Sequence, residues 1–334
     1  TAAGDLSELA SGSSFESGDG TRLHDTRIEG LSPDTRYWYR AVTGSATSSV
    51  YDFVTPAHPD TESSTRLVAM SDMQRDWLNP DKFEEIVEDG VIGFVNDELG
   101  GDLAQDLDLA LVPGDLVDSG WVYSQWAEQF FHPGEGLFSH VPVYPVPGNH
   151  ENDTDYFFDY FHLPDNGSDG YEEHWWSMDY SNLRVLGLDS NDGYRVEAQL
   201  TWLEAVLAES CDDPDIDFLF AQLHHPFKSE LWLAGETPFT GEVISLLEDF
   251  SSDCGKPSIH FFGHTHGYSR GQSRDHNHLW VNVATAGGSI DYWGEYAQAD
   301  YEEFVVSQDE WGFVLVEVEA GVEPQFRLRR VSRG

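Results

Sequence analysis

Five short apolar runs of this chain each end in a residue that can bind a metal ion, and this pattern constrains the fold and the chemistry together. The runs are 65–72 (TRLVAMSD), 107–115 (LDLALVPGD), 141–150 (VPVYPVPGNH), 217–225 (DFLFAQLHH) and 258–266 (SIHFFGHTH). A short apolar run bounded by Gly or Pro is typical of a buried strand. Helical patterns alternate with these runs, which indicates an α/β fold. The helices are predicted at 81–95, 125–131, 197–210 and 242–250.

Ligands of open α/β sheets bind outside the carboxyl ends of the strands. The residues that end the five runs are therefore predicted to meet at one site: Asp72, Asp115, Asn149, His224, His264 and His266. Carboxylate and amide oxygens combined with imidazoles indicate a site for Mn, Fe or Zn rather than a soft thiolate site. The set is too large for one tetrahedral zinc. We expect two divalent metal ions about 3.5–4 Å apart, with one carboxylate bridging them.

The motifs around these residues resemble those of calcineurin-like metallophosphoesterases. They are 71–74 (SDMQ), 114–115 (GD), 148–151 (GNHE), 224–226 (HHP) and 263–266 (GHTH), in the family's order. The resemblance covers most of 65–334 and is greatest to the branch of purple acid phosphatases and their relatives. It implies a four-layer α/β/β/α sandwich, with 174–189 and 279–319 as strands of the second sheet.

The resemblance also implies how the metal ions are held. Asp115 bridges the two ions. The remaining ligands are Asp72 and His266 for the first ion, and Asn149, His224 and His264 for the second.

Two further roles come from the resemblance. After attack by a metal-bound hydroxide, His150 protonates the leaving oxygen as a general acid, and Glu151 orients His150. His225 is expected on the other side of the strand end, because side chains alternate along a strand.

Two positions depart from the family pattern. Gln74 stands where many members carry a histidine ligand of the first ion. Gln74 is either a weak ligand through its amide oxygen or a hydrogen-bond donor to the ligands that bind the ion. Asp118 stands where purple acid phosphatases carry the tyrosine that colours their ferric iron. Two divalent ions are therefore expected here, with Mn, Fe and Zn as candidates.

The implied function is a secreted phosphatase that hydrolyses small phosphate monoesters. A phosphodiesterase acting on nucleotides or small diesters is the alternative within this class. A non-catalytic module that binds metal or phosphate is the alternative from another class. Trp121, Tyr123 and Trp126 follow the second ligand loop and are either packing residues or a stacking platform for a ring.

The net charge is −44, from 17 Lys and Arg against 61 Asp and Glu. A disordered acidic chain would lack aromatic residues, but 13% of these residues are aromatic, so we expect a folded protein with an acidic surface. Halophiles use such surfaces, and we expect a halophilic source and a fold that depends on salt. Bulk nucleic-acid binding is not expected, because it needs a basic surface.

No apolar segment reaches the roughly 18–20 residues that span a bilayer, so no membrane span is expected. The chain begins at Thr1 without Met, which is typical of a processed form, and we expect a secreted or extracytoplasmic protein. Cys211 and Cys254 each stand just before an apolar run. If those strands are neighbours, a disulfide is geometrically possible and would imply an oxidising compartment. Two free thiols are the alternative.

Residues 1–57 differ from the rest. Short Thr-, Tyr- and Val-rich runs separated by turn residues indicate antiparallel β structure. The piece 31–42 (LSPDTRYWYRAV) resembles the second half of a fibronectin type III-like sandwich. A full sandwich needs about 100 residues, so we expect a small partial all-β sandwich at 1–57, a linker at 58–64 and a catalytic domain at 65–334.

Overall fold

The protein is described here by a computed structural model that covers residues 6–17, 20–58, 61–151 and 153–333. Its strands, in chain order, are Ser13–Glu16 (β1), Arg22–Asp25 (β2), Arg36–Tyr39 (β3), Val42–Thr43 (β4), Ala46–Thr47 (β5), Tyr51–Val54 (β6), Thr65–Ala69 (β7), Leu109–Pro113 (β8), Val143–Val146 (β9), Trp176–Tyr180 (β10), Leu183–Gly187 (β11), Phe218–Gln222 (β12), Ser258–Phe262 (β13), Tyr268–Gln272 (β14), His278–Val283 (β15), Phe304–Gln308 (β16), Gly312–Glu319 (β17) and Gln325–Ser332 (β18).

The helices lie between these strands. They are Lys82–Glu85 (α1), Gly93–Glu98 (α2), Leu103–Asp106 (α3), Tyr123–Gln125 (α4), His132–Phe138 (α5), Asp155–Tyr160 (α6), Glu197–Asp212 (α7) and Pro238–Asp253 (α8). A π-helical segment, Ile86–Ile92, joins α1 to α2, and another, Trp126–Phe131, joins α4 to α5. Each of the four predicted helices is confirmed and extends beyond its predicted C-terminal bound. No helix among the described residues is both long and apolar enough to span a bilayer.

Two mixed sheets form the centre of the fold. One has five strands in the order β18-β17-β7-β8-β9, and the other has seven in the order β10-β11-β12-β13-β15-β14-β16. The strands that precede the predicted ligands are parallel neighbours within their sheets: β7, β8 and β9 in the first, β12 and β13 in the second. Their carboxyl ends therefore lie side by side at the same end of the strands in each sheet.

The alternating sides of β12 show why the two sheets stack. Phe218 and Phe220 pack into a core shared with strands of the five-stranded sheet, whereas Leu219 and Ala221 pack against α7 and α8. The strand is buried on both faces, which explains its continuous apolar sequence. On the opposite side, the ring of Phe94 in α2 lies 6.3 Å from that of Phe313 in β17. Helices thus cover both outer faces, and the four-layer α/β/β/α sandwich is confirmed.

One strand was assigned to the wrong sheet. The sequence places all of 279–319 in the second sheet, and β15 and β16 do lie there, but β17 does not. It pairs antiparallel with β7 and β18 in the five-stranded sheet. Alternation of apolar residues identifies a strand but not its partner, since partner choice depends on long-range contacts.

Cys211 near the end of α7 and Cys254 just after α8 form a disulfide, with their Cα atoms 5.4 Å apart. The helices that carry them lead into the adjacent parallel strands β12 and β13. Both cysteines therefore lie at the end of the sheet opposite the predicted ligands, and of the two alternatives the disulfide is the one that forms.

The N-terminal segment is a small β region of three two-stranded pairs, β1–β2, β3–β6 and β4–β5. Arg36 binds Asp102 at 2.7 Å, and the Tyr39 hydroxyl donates to the carbonyl of Ser139 at 2.8 Å, so the β3–β6 pair docks on the helical layer. Its likeness to a fibronectin type III module stays a prediction, as does the domain division. Of the predicted linker 58–64, residues 59 and 60 lie outside the described part of the chain.

Candidate metal centre

The predicted ligands converge where the strands of both sheets end. His224 Nε2 lies 3.1 Å from Asp115 Oδ2 and 2.9 Å from Asn149 Oδ1. His266 Nε2 lies 3.1 Å from Asp72 Oδ1. The backbone N–H of His264 donates to both carboxylate oxygens of Asp72, at 3.1 and 3.2 Å. Residues almost two hundred positions apart therefore line one space.

The backbone at this site is strained. Asp72, Asp115 and His264 have φ values of 59°, 56° and 70°, in the left-handed region. Such conformations cost about 1–3 kcal/mol each and persist where the surroundings over-determine them, often at functional sites. Two glycines of the ligand loops permit the close packing around these residues. A Cβ on Gly263 would lie 2.5 Å from Asp72 Oδ2, and one on Gly148 would lie 2.2 Å from Asp115 Oδ1.

Two imidazoles are oriented by backbone carbonyls. His224 Nδ1 lies 2.9 Å from the carbonyl oxygen of Pro113, and His266 Nδ1 lies 2.6 Å from that of Ser289. A carbonyl can only accept, so both Nδ1 atoms donate. Each Nε2 then faces the carboxylates, the arrangement that metal-binding histidines typically show.

Charge at the site is balanced between histidines and aspartates. Burial alone would lower the pKa of His224, but the adjacent Asp115 outweighs it and raises that pKa to about 9. Asp72 similarly overcomes burial and raises the pKa of His266 to about 9. For Asp115, burial raises the pKa, but His224 and His150 lower it below its usual range. Without metal, protons on these imidazoles neutralise the carboxylates.

His264 differs from the other two histidines. Burial, followed by the proximity of His224, lowers its pKa to about 3. It is therefore neutral near pH 7, the form in which an imidazole can accept a metal ion.

Gln74 lies among the predicted ligands. Its Nε2 is 3.1 Å from His266 Nε2 and 3.4 Å from Asp115 Oδ2. Its buried Oε1 has no hydrogen-bond partner among the described residues. A half-turn of the amide would bring this oxygen into the space between the ligands, so the donor set fits hard or borderline cations. Both interpretations of Gln74, ligand and donor, stay open.

His150 is held beside the predicted bridging residue. Its backbone N–H donates to Asp115 Oδ1 at 3.0 Å, and its Nδ1 donates to the carbonyl of Asp118 at 2.7 Å. Its Nε2 lies 3.8 Å from Asp115 Oδ2, and about a third of the side chain, 32%, is exposed. His150 can therefore reach a substrate from its position next to the centre.

Glu151 does not have the role expected of it. Its buried carboxylate accepts hydrogen bonds from the backbone N–H groups of Asp115 at 2.9 Å, Leu116 at 2.8 Å and Gly148 at 2.7 Å. Nδ1 of His150 is oriented by a backbone carbonyl instead. Burial, then the nearby Asp115, raises the pKa of Glu151 to about 7. Glu151 is thus a positioning residue that joins two ligand loops.

The expectation for His225 was wrong as well. Its ring centroid lies 4.4 Å from that of His264 and 4.9 Å from that of His224, so it lies on the same side as the ligands. Its Nδ1 contacts Ser190 Oγ at 3.0 Å. The chain bends directly after β12, so the alternation of a strand does not extend to His225.

Three supporting residues were not predicted. Ser190 Oγ accepts from the backbone N–H groups of His224 at 3.2 Å and His225 at 2.9 Å. Ser71 Oγ donates to Asp72 Oδ2 at 2.6 Å, and Asp291 accepts from the His266 N–H at 2.7 Å. Ser190 ends a sixth apolar run, 183–190, which was a usable signal. Asp291 follows no such run.

Two stacked sheets between helical layers, with carboxylate, amide and imidazole groups at the strand ends, define the fold of a metallophosphoesterase. The family model described as calcineurin-like phosphoesterase matches residues 65–268, and the chain belongs to this family. Metallophosphoesterases are hydrolases that use divalent metal ions, and the described residues include a candidate group of Asp72, Asp115 and His224 for such an ion.

Known proteins resemble the chain in sequence and fold. It is 25% identical over 280 residues to a probable inactive purple acid phosphatase 27 of Arabidopsis thaliana, a match that covers 74% of this chain and 44% of the relative. It is 36% identical over 122 residues to a probable cyclic nucleotide phosphodiesterase of Fibrobacter succinogenes, covering 36% of this chain and 43% of the relative.

A solved structure shares the fold over most of the chain. The purple acid phosphatase PPD1 from yellow lupin (Lupinus luteus) seeds matches with a TM-score of 0.72 at 19% identity. The match covers 96% of this chain and 64% of that protein. The chain spans less than half of the length of the curated relatives it matches.

Proposed function

We propose that this chain is a phosphatase that hydrolyses phosphate monoesters with two divalent metal ions. The convergence of ligand-type residues from five strand ends carries this proposal. The ions would be held by Asp72, Asp115, Asn149, His224, His264 and His266, with Asp115 shared by both and Gln74 as either a weak further ligand or a hydrogen-bond donor. Bound there, two ions would supply positive charge for the phosphate oxygens and lower the pKa of an attacking water.

His150 is the proposed general acid. Because its Nδ1 donates to the Asp118 carbonyl, the proton that it can give to a leaving oxygen is on Nε2 of the imidazolium form. Positioned general acids contribute about 10²–10⁴-fold to a rate.

Asp118 supports divalent ions in place of a purple iron centre. Its backbone carbonyl is engaged by His150, and its backbone N–H donates to Gln129 Oε1 at 2.7 Å. An aspartate here cannot supply the phenolate that colours ferric iron. Mn, Fe and Zn are the candidate ions.

The decisive experiment removes metal by chelation and then supplies Mn, Zn, Fe(II), Ni or Ca in turn. Hydrolysis of p-nitrophenyl phosphate is compared with that of bis-p-nitrophenyl phosphate at high salt. Metal-dependent turnover that favours the monoester is expected. Asp115→Asn should abolish it, whereas Asp97→Asn, on the exposed face of α2, should not. Two bound metals without turnover on either ester would instead favour a non-catalytic module that binds metal or phosphate.

A phosphodiesterase is the second candidate, because a relative from Fibrobacter succinogenes is named a probable cyclic nucleotide phosphodiesterase. A higher kcat/KM on the bis ester than on the monoester would select it. We also propose a secreted, extracytoplasmic location and a halophilic source, supported by the Cys211–Cys254 disulfide and the net charge of −44.

A further inference from the structure

Four aromatic rings form a column from the interior to the surface beside the proposed metal centre. The ring centroids of His225 and His264 are 4.4 Å apart, those of His264 and Trp232 are 5.2 Å apart, and those of Trp232 and Tyr296 are 5.8 Å apart. His225 is 8% exposed, and Tyr296 is 43% exposed. The proposed metal ligand His264 is thus packed between the interior imidazole of His225 and the ring of Trp232. Trp232 and Tyr296 together form a ring wall that reaches solvent.

The wall is attached firmly to the ligand loop. A Cβ on Gly235 would lie 2.8 Å from Thr265 Cγ2 and 3.0 Å from His264 Cδ2, so the backbone of Gly235 packs closely against side chains of that loop. The N–H of Leu233 donates to the carbonyl of Ala297 at 3.2 Å, which joins the segments that carry Trp232 and Tyr296. The two rings therefore keep a defined position relative to His264.

More exposed aromatic side chains lie on segments that hydrogen-bond to the loops around the proposed centre. Tyr292 and Trp293 are 52% and 48% exposed and follow Asp291, which binds the backbone of His266. Trp77 is 90% exposed, and its neighbour Asp76 accepts a hydrogen bond from Ser289 Oγ at 2.7 Å. Exposed aromatic side chains on loops next to a site are candidates for recognition of an apolar group.

The electrostatics favour a neutral recognition group. With a net charge of −44, the protein repels substrates that carry further anionic groups beyond the phosphate. Stacking on an aromatic face does not depend on charge and contributes about 1–3 kcal/mol per base on known ring platforms.

We propose that this site selects phosphate esters whose alcohol carries a flat aromatic ring, and that Trp232 and Tyr296 are the specificity-determining residues on which that ring stacks. The proposal rests on the proposed function, since the phosphate must bind at the metal centre. The expected substrates are aryl and other ring-bearing phosphate esters, in preference to short aliphatic phosphate esters.

The test measures binding rather than turnover. Phenylphosphonate and methylphosphonate, which are not hydrolysed, are titrated by calorimetry into the full chain loaded with Mn. Phenylphosphonate is expected to bind on the order of tenfold more tightly, the gain typical of one stacked ring. Tyr296→Ala and Trp232→Leu should each reduce this preference severalfold while the affinity for methylphosphonate stays the same. Metal content is measured for each variant, because Trp232 contacts His264.

Phe15→Ala is the matched control, since Phe15 is an exposed ring, 38% exposed, in the N-terminal strand β1. It should leave the preference unchanged. Equal affinity of the two phosphonates for the natural chain would overturn the inference and leave the proposed function standing. A preference that survives both wall variants would overturn the assignment of Trp232 and Tyr296. No binding of either phosphonate would overturn the proposed function itself.

Discussion

Replacing Glu151 by Gln should destabilise the protein strongly, although Glu151 is no ligand. One carboxylate oxygen accepts from the N–H groups of Asp115 and Gly148, and the other from Leu116 and, at 3.4 Å, Val117. A glutamine oxygen can keep one of these pairs, but its NH₂ group then faces the other pair of donors. Hydrogen bonds to a charged group contribute about 1.5–3 kcal/mol each, so losing two costs about 3–6 kcal/mol. The burial penalty that raises the pKa of Glu151 is absent for a neutral glutamine and offsets part of this cost.

The assay is denaturant unfolding of the metal-free protein at pH 8, above the Glu151 pKa of about 7, so that the carboxylate is ionised. A whole domain is typically stable by about 5–15 kcal/mol, so the shift in midpoint should be large. Glu204→Gln, on the exposed face of α7, is the control and should change the free energy of unfolding by less than about 0.5 kcal/mol. A change below about 1 kcal/mol for Glu151→Gln would refute the reasoning that buried charged hydrogen bonds hold the two loops together.

Three further predictions concern the acid, the ligands and the surface. His150→Ala should keep both metals yet lose most activity on esters with poor leaving groups, where protonation matters most; loss of metal in elemental analysis would make His150 a ligand. Because the pKa values of His224 and His266 are raised to about 9, metal loading at pH 7 should release about two protons per chain, and metal affinity should fall as the pH drops. Calorimetry in buffers of different ionisation enthalpy measures this release, and its absence would contradict the assignment of these ligands. Finally, the thermal midpoint should rise between low salt and roughly molar KCl, where the repulsion within a chain of net charge −44 is screened; a constant midpoint would exclude a salt-dependent fold.

Some features followed from local pattern alone. The runs that became β7, β8, β9, β12 and β13 were recognisable because both faces of these strands are buried, which requires continuous apolar sequence. The proximity of Asp72 to Asp115, and of His224 to His264, also followed, because neighbouring parallel strands place their carboxyl ends together. The cysteine pair was predictable for the same reason, at the opposite end of β12 and β13.

Other features depend on contacts that local pattern does not encode. Glu151 stands next to His150 in sequence, but burial directs its carboxylate to the backbone of the loop after β8. His225 follows a bend, so the rule of alternation that applies within β12 does not extend to it. The sheet to which β17 belongs depends on pairing with β7, which lies far away in the chain.

The sequence by itself determined the α/β class, the strand ends and the identity of the groups found there, because periodicity and residue chemistry are local properties; the four layers were implied by the family resemblance. Only the tertiary structure decided how those groups are supported. The left-handed backbone of Asp72, Asp115 and His264 and the ring wall of Trp232 and Tyr296 arise from contacts between segments distant in sequence. Such contacts become fixed when both sheets and their helices pack, since close-packed interiors admit few alternative arrangements.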